Sequence, residues 1–140
     1  MIDIDPQDLA DRYLACWTEP DPVTRRAAVE QLWAEDGTHV LQPPEEIREA
    51  AAALGFDHTT LEAHGHDAIE TRVTRSHERF VEKEGFTFRS RHDAVRLHGV
   101  VKCGWETVLA RSGEVLGGGL VVLVLGDDGR IRTDHMFPGP

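Results

Sequence analysis

The chain predicts an α+β domain, and a change of rhythm carries that prediction. The first third reads as capped amphipathic helices bearing tryptophans, while Phe86 to Phe137 reads as long alternating strands joined by tight turns. Helices followed by a single antiparallel sheet imply that the helices cover one sheet face. A length of 140 residues fits one domain spanning 1–140 with a sizeable core.

The first helix starts at Asp5-Pro6-Gln7-Asp8: a capping Asp, a proline at the first position, and an acid near the positive end. Leu9, Tyr13, Cys16 and Trp17 then form an apolar stripe at helical spacing. Pro20 and Pro22 separate this helix from a second, capped by Asp21 and lined by Ala28, Val29, Leu32 and Trp33. Gly37 is expected to stop it. A short strand is expected from Thr38 to Gln42, ended by Pro43-Pro44. Glu45 to Leu54 is Ala- and Glu-rich and reads as helix, with Gly55 as its stop. Phe56 to His64 reads as a loop with a brief strand at Thr60 to Ala63. The next helix begins near His66 and buries Ile69, Val73, His77 and Phe80.

The period then becomes two. Phe86, Phe88, Ser90 and His92 share one strand face; Val101, Cys103, Trp105, Thr107 and Leu109 share another. Val115 to Leu125 is almost continuously apolar, which predicts a central strand buried on both faces. Gly117-Gly118-Gly119 inside it predicts a sharp bend or close approach. Gly126-Asp127-Asp128-Gly129 is a hairpin loop. On the last strand Ile131, Thr133, His135 and Phe137 alternate with Arg130, Arg132 and Asp134, which puts Asp134 on the solvated side.

Composition narrows the function classes. The formal net charge is −10 and no Lys/Arg-rich run exists, which argues against a nucleic-acid surface or an anionic membrane as partner. Cys16 and Cys103 both sit in apolar stretches and read as buried free thiols. The opening MIDIDPQDLADR has neither a basic segment nor an apolar run, so a cytoplasmic protein is expected.

Several strings resemble the nuclear-transport-factor-2-like superfamily in its SnoaL-like branch: RYLACW (12–17), EPDPVTRRAAVEQLWAEDGTHV (19–40), GHDAI (65–69), VVKCGWE (100–106) and LGDDGRIRTD (125–134). The resemblance spans nearly the whole chain and consists of scaffold strings. It implies a cone-shaped α+β barrel in which helices close over a strongly curved antiparallel sheet and leave a deep apolar cavity. Such folds serve isomerases, cyclases, dehydratases and non-catalytic binding or dimerisation modules, so fold alone selects no activity. Tyr13 matches the oxyanion-hole tyrosine of the ketosteroid isomerase branch. The aspartate base of that branch is replaced by Gln42, and no carboxylate stands near Gly119 or Leu120 for the second oxyanion donor. Two of the three isomerase groups are therefore absent. The cyclases use an aspartate, for which Asp134 is the sole acidic candidate on the last strand.

Acid–base work at neutral pH then falls to histidine. His39, His92 and His135 are the strand histidines, with core or rim hydrogen bonding as the alternative for each. His135 is the expected base because it shares a face with Thr133 and Phe137, and Tyr13 the expected donor to a developing oxyanion. Trp17, His39, Gln42, His92 and Trp105 are the expected ligand-binding residues, with Tyr13, Trp17, Trp105 and His135 in one cavity. The pair His64 and His66 lacks the further ligands a zinc site needs, so neither metal nor cofactor is expected. The ligand expected is a small, mostly apolar molecule, bound with or without cofactor-free isomerase, cyclase or dehydratase chemistry. The alternative is a non-catalytic dimerisation or protein-interaction module. A homodimer is expected through an outer sheet face carrying Val100, Val108, Val121 and Leu123.

Overall fold

The structure, a computed structural model, describes residues 3–55 and 61–139. Helices α1 (Pro6–Thr18) and α2 (Pro22–Leu32) are followed by β1 (Trp33–Leu41) and α3 (Glu45–Ala53). Then come β2 (Leu61–His64) and α4 (Gly65–Ser76), which continues as a π-helical stretch over His77–Lys83. Strands β3 (Phe86–Ser90), β4 (Val95–Leu97), β5 (Val100–Leu109), β6 (Val115–Leu125) and β7 (Ile131–Pro138) complete the chain. They form a curved, unclosed sheet of order β2-β1-β7-β6-β5-β3, with β4 paired to β5.

The helix starts follow the expected chemistry. The Asp5 carboxylate accepts from the Gln7 and Asp8 amides, and Asp21 accepts from the Thr24 amide, so orphan N–H groups at both starts are satisfied. Arg25 is buried where the two helices meet; its guanidinium donates to the Glu19 and Pro20 carbonyls and to Thr74 Oγ1. Leu9, Tyr13 and Trp17 of α1 pack with Ile69 and Val73 of α4 and with Val101, Val121 and Ile131 of the sheet in one core cluster. Cys16 and Cys103 are buried free thiols, as expected.

Four expectations are corrected. Trp33 does not close α2; it opens β1, where it is fully buried and pairs with Ile131 of β7. The sheet has one parallel pair, β1 with β7. The central strand β6 buries one face only: Val121 and Leu123 point into the core, while Leu120 is exposed and Val122 and Val124 are half-exposed. Val108 is buried as well, so the outer face displays Val100, Leu120 and Phe137 in place of Val108, Val121 and Leu123.

The fourth correction concerns strand parity, and it decides the site. Opposite β6, Ile131 pairs with Leu125 and Thr133 with Val124, so Arg132 is an extra residue in β7. Against β1, Trp33 pairs with Ile131 and Thr38 with Thr133, so residues 34–37 bulge out on that side. A single unpaired residue exchanges the two faces of everything beyond it. Asp134 is thereby carried into the core, with 0% of its surface exposed. Gly37 permits the bulge: a Cβ there would stand 2.9 Å from the Ala34 carbonyl oxygen and 3.0 Å from that of Ile131.

Candidate functional site

A cavity of about 450 Å³ opens between the helices and the concave sheet face. Its walls are mostly apolar: Leu14 and Trp17 from α1, Phe80 from the π-helical stretch, Phe86 and Phe88 from β3, and Trp105 from β5. Leu41 and Met136 close the β1–β7 side. The volume lies within the range of small-molecule pockets. Phe80 and Phe86 stack with centroids 6.3 Å apart, stiffening one wall. Trp105 faces Gly119 across the β5–β6 ladder, and a Cβ at 119 would stand 2.3 Å from Trp105 Cη2. The glycine run therefore makes room for the indole that forms part of the wall.

The polar part of the wall comes from β1 and α4. His39 is buried on β1, its ring 5.2 Å from that of Trp17. Arg72 of α4 donates through Nη1 to His39 Nδ1 at 2.9 Å and to the His39 and Leu61 carbonyls, each at 3.3 Å. A guanidinium only donates, so Nδ1 must accept and the imidazole proton sits on Nε2. That nitrogen lies 3.7 Å from Asp134 Oδ2. The Tyr13 hydroxyl donates to the same carboxyl oxygen at 2.7 Å. Tyr13, Asp134, His39 and Arg72 thus form a line of polar groups that begins in the core and ends at the cavity.

Burial sets the charge state of this line. It raises Asp134 well above the usual carboxylate range, outweighing the opposing hydrogen bond from Tyr13 and the Arg72 charge. It raises the Tyr13 phenol as well, with the Asp134 charge adding to the effect. His39 is pushed down to about 3, first by burial and then by the Arg72 cation. Burial therefore disfavours the charged form of the acid, the phenol and the imidazole alike, beside one guanidinium.

The expected residues divide. Trp17, His39, Gln42 and Trp105 line the cavity. Tyr13 is fully buried behind the wall, its hydroxyl engaged by Asp134, so it offers no free donor to an oxyanion there. His135 does not line the cavity: beyond the Arg132 bulge it takes the sheet face opposite Asp134, paired with Val122 and Val40. The expectation that Tyr13, Trp17, Trp105 and His135 share one cavity is corrected on both counts. His92 lies past the end of β3, exposed, in a left-handed conformation with φ of 57°. Ser90 ends the strand by accepting from the His92 amide, so the alternation never reaches the histidine. Asp134, assigned to the solvated face from parity, is the buried acid.

Sequence reasoning passed over the three charged cavity residues, Arg72, Arg75 and Arg79. Their spacing of three and four was the available signal, since it places them on one helix side. His64 ends β2, and His66 on α4 pairs its Nε2 with the Trp33 carbonyl at 2.8 Å. Among the described residues no group of three or more His, Cys, Asp and Glu side chains is arranged to hold a metal ion. No helix among them is long and apolar enough to cross a membrane.

No family model matches the sequence, and no curated protein matches it either. Solved structures do match. A candidate isomerase of the SnoaL-like family from Agrobacterium tumefaciens strain C58 is similar over 96% of this chain and 97% of its own, with 23% identity and a TM-score of 0.76. An NTF2-like protein of unknown function from Exiguobacterium sp. 255-15 matches 93% of this chain and 97% of its own at 17% identity and a TM-score of 0.61. Another, from Mesorhizobium loti, covers 100% of this chain and 98% of its own at 14% identity and a TM-score of 0.59. The chain shares the fold of these solved SnoaL-like and NTF2-like structures.

Proposed function

We propose that the protein binds a small, mostly apolar molecule in the cavity between its helices and its sheet. The observation that carries this reading is the wall itself: aromatic and aliphatic side chains around about 450 Å³, with Gln42, His39 and Arg72 as the polar groups that would orient a ligand. Calorimetric titration with 2-naphthylacetamide, a neutral aromatic probe, tests it. Binding at about 1 mM or tighter is expected from the ligand's size. Thr107→Phe, which fills the cavity from β5, should weaken that binding at least tenfold. No heat of binding to the native protein at millimolar probe would refute the reading.

A second reading, acid–base turnover without a cofactor, is favoured by the line from Asp134 to His39. His39 is the cavity-wall group that can accept a proton, once Arg72 releases Nδ1. Asp134 and Tyr13 would position it from behind. Proton exchange at the α-carbons of 1-(2-naphthyl)propan-2-one in D2O measures such a base directly. Exchange faster than in buffer, lost in His39→Ala and kept in His135→Ala, is the expected outcome; exchange at the buffer rate would leave ligand binding alone.

The outer sheet face supports association with a second copy, because Val100, Leu120 and Phe137 are exposed there around Val122 and His135. A sedimentation profile of monomer alone at micromolar concentration would oppose it. Two buried free thiols and a net charge of −10 suit a reduced compartment such as the cytoplasm.

A further inference from the structure

The cavity carries a charge asymmetry that its apolar walls do not explain. The chain has a net charge of −10, yet the charged side chains lining this cavity are Arg72, Arg75 and Arg79, all cationic. No carboxylate of the described residues lines the cavity with them. Elsewhere on the surface several arginines are matched to acids: Arg12 to Asp8, Arg26 to Glu30 and Asp67, Arg89 to Glu106, and Arg130 to Asp128. Arg72 is committed to His39 and two carbonyls. Arg79 lies 5.5 Å from the centroid of the Phe80 ring, which stiffens its position without neutralising it. Among the described residues, Arg75 and Arg79 make no ion pair.

Three guanidiniums gathered on one side of a cavity repel one another, and an acidic chain had acids available to separate them. A row of cations without acids, bordering an apolar hollow, is the arrangement that recognises an amphipathic anion. Guanidinium forks suit a planar carboxylate in particular, because two parallel N–H groups meet its two oxygens. The rings of Trp17, Phe80, Phe88 and Trp105 would receive the apolar body.

We propose that the ligand of this cavity is an apolar acid whose carboxylate is held at the mouth by Arg75 and Arg79, with its ring or chain directed inward. This rests on the reading that the cavity binds a small apolar molecule, and adds the ligand's charge and orientation. The acidic surface of the remaining chain would disfavour the ligand everywhere except at this row, so the row supplies selectivity as well as attraction.

The test compares 2-naphthylacetate with 2-naphthylacetamide, two probes of the same shape of which only the first is charged. Calorimetric titration of the native protein should show the acid binding about tenfold or more tightly than the amide. The R75Q/R79Q double variant should lose that preference while its affinity for the amide stays within about twofold. Both side chains are exposed, so the variant should fold; an unchanged thermal melt verifies this. Raising NaCl from 50 to 500 mM should weaken the acid and leave the amide unaffected. Equal affinity of acid and amide for the native protein would overturn the anion site while leaving apolar binding intact. A preference for the acid that survives in the double variant would overturn it too. Failure of both probes to bind would remove this proposal together with the reading beneath it.

Discussion

The Arg72 guanidinium donates to His39 Nδ1 at 2.9 Å, and this contact fixes the histidine's tautomer and turns its remaining N–H toward Asp134. One arginine therefore connects the cavity to a buried acid that the cavity never touches.

Arg72→Leu should release that histidine. The cation is the second cause of the depressed His39 pKa, after burial. Its removal should raise the value from about 3 while burial still holds it below the ordinary 6.5. Nitrogen-detected NMR titration of the imidazole reads this directly. An unchanged titration would mean that the arginine exerts no field on the ring. The variant should also lose about 1–3 kcal/mol of stability, since a buried ring nitrogen is left unpaired.

Asp134→Asn should change how stability responds to pH. The Asp134 pKa is raised in the folded state, so above about pH 4 the unfolded chain releases a proton that the folded chain keeps. Its contribution is fully present below that pH and is lost as pH rises toward the folded value. The slope approaches ~1.4 kcal/mol per pH unit for one proton. His39 acts in the opposite sense: its lowered pKa removes stability as pH falls from 6.5 toward 3. Subtracting the asparagine variant from the native protein at each pH cancels, to first order, what the two share and isolates the acid. Urea unfolding from pH 5 to 8 should therefore show the native protein losing ground to the variant. A difference that stays flat across this range would show that Asp134 is ionised in the fold.

Gly119→Ala should push Trp105 out of place, because the new Cβ would stand 2.3 Å from Trp105 Cη2 and 2.5 Å from the Phe137 carbonyl oxygen. Overpacking of this kind costs about 1–3 kcal/mol. Replacing Trp105 by Leu removes the indole side of the clash, so the two changes should be markedly non-additive. Additive losses in a double-mutant cycle would place the strain on the Phe137 backbone instead.

Much of the architecture was readable from local chemistry. Asp5 and Asp21 announce their helices, and the alternation around Val101, Cys103, Trp105 and Thr107 identifies the inward face of β5. His39, Gln42, Trp17 and Trp105 lie on the cavity wall because their elements are regular where they stand. The failures share one physical origin. Parity counting assumes an unbroken pleat, and the extra residue at Arg132 breaks it, exchanging Asp134 with His135. His92 fails for a related reason: the chain leaves the strand at Ser90 through a left-handed residue. No pattern of polar and apolar residues announces either event. The arginine row was legible in its spacing, but a charged helix side ordinarily faces water, and only the fold brings the cavity beneath it.

The parallel pairing of β1 with β7 has a consequence for how the molecule comes into being. Tyr13 and Asp134 are 121 positions apart, and the strand that carries His39 has one of its two sheet partners at the far end of the chain. During synthesis α1, α2 and β1 emerge long before β7 exists, so Trp33 and His39 must wait uncovered by that strand while the rest is made. The long loop that their union closes makes this pairing a slow, late step. Nascent chains lacking β7 would expose this part of the core, and they are the species a chaperone would meet first.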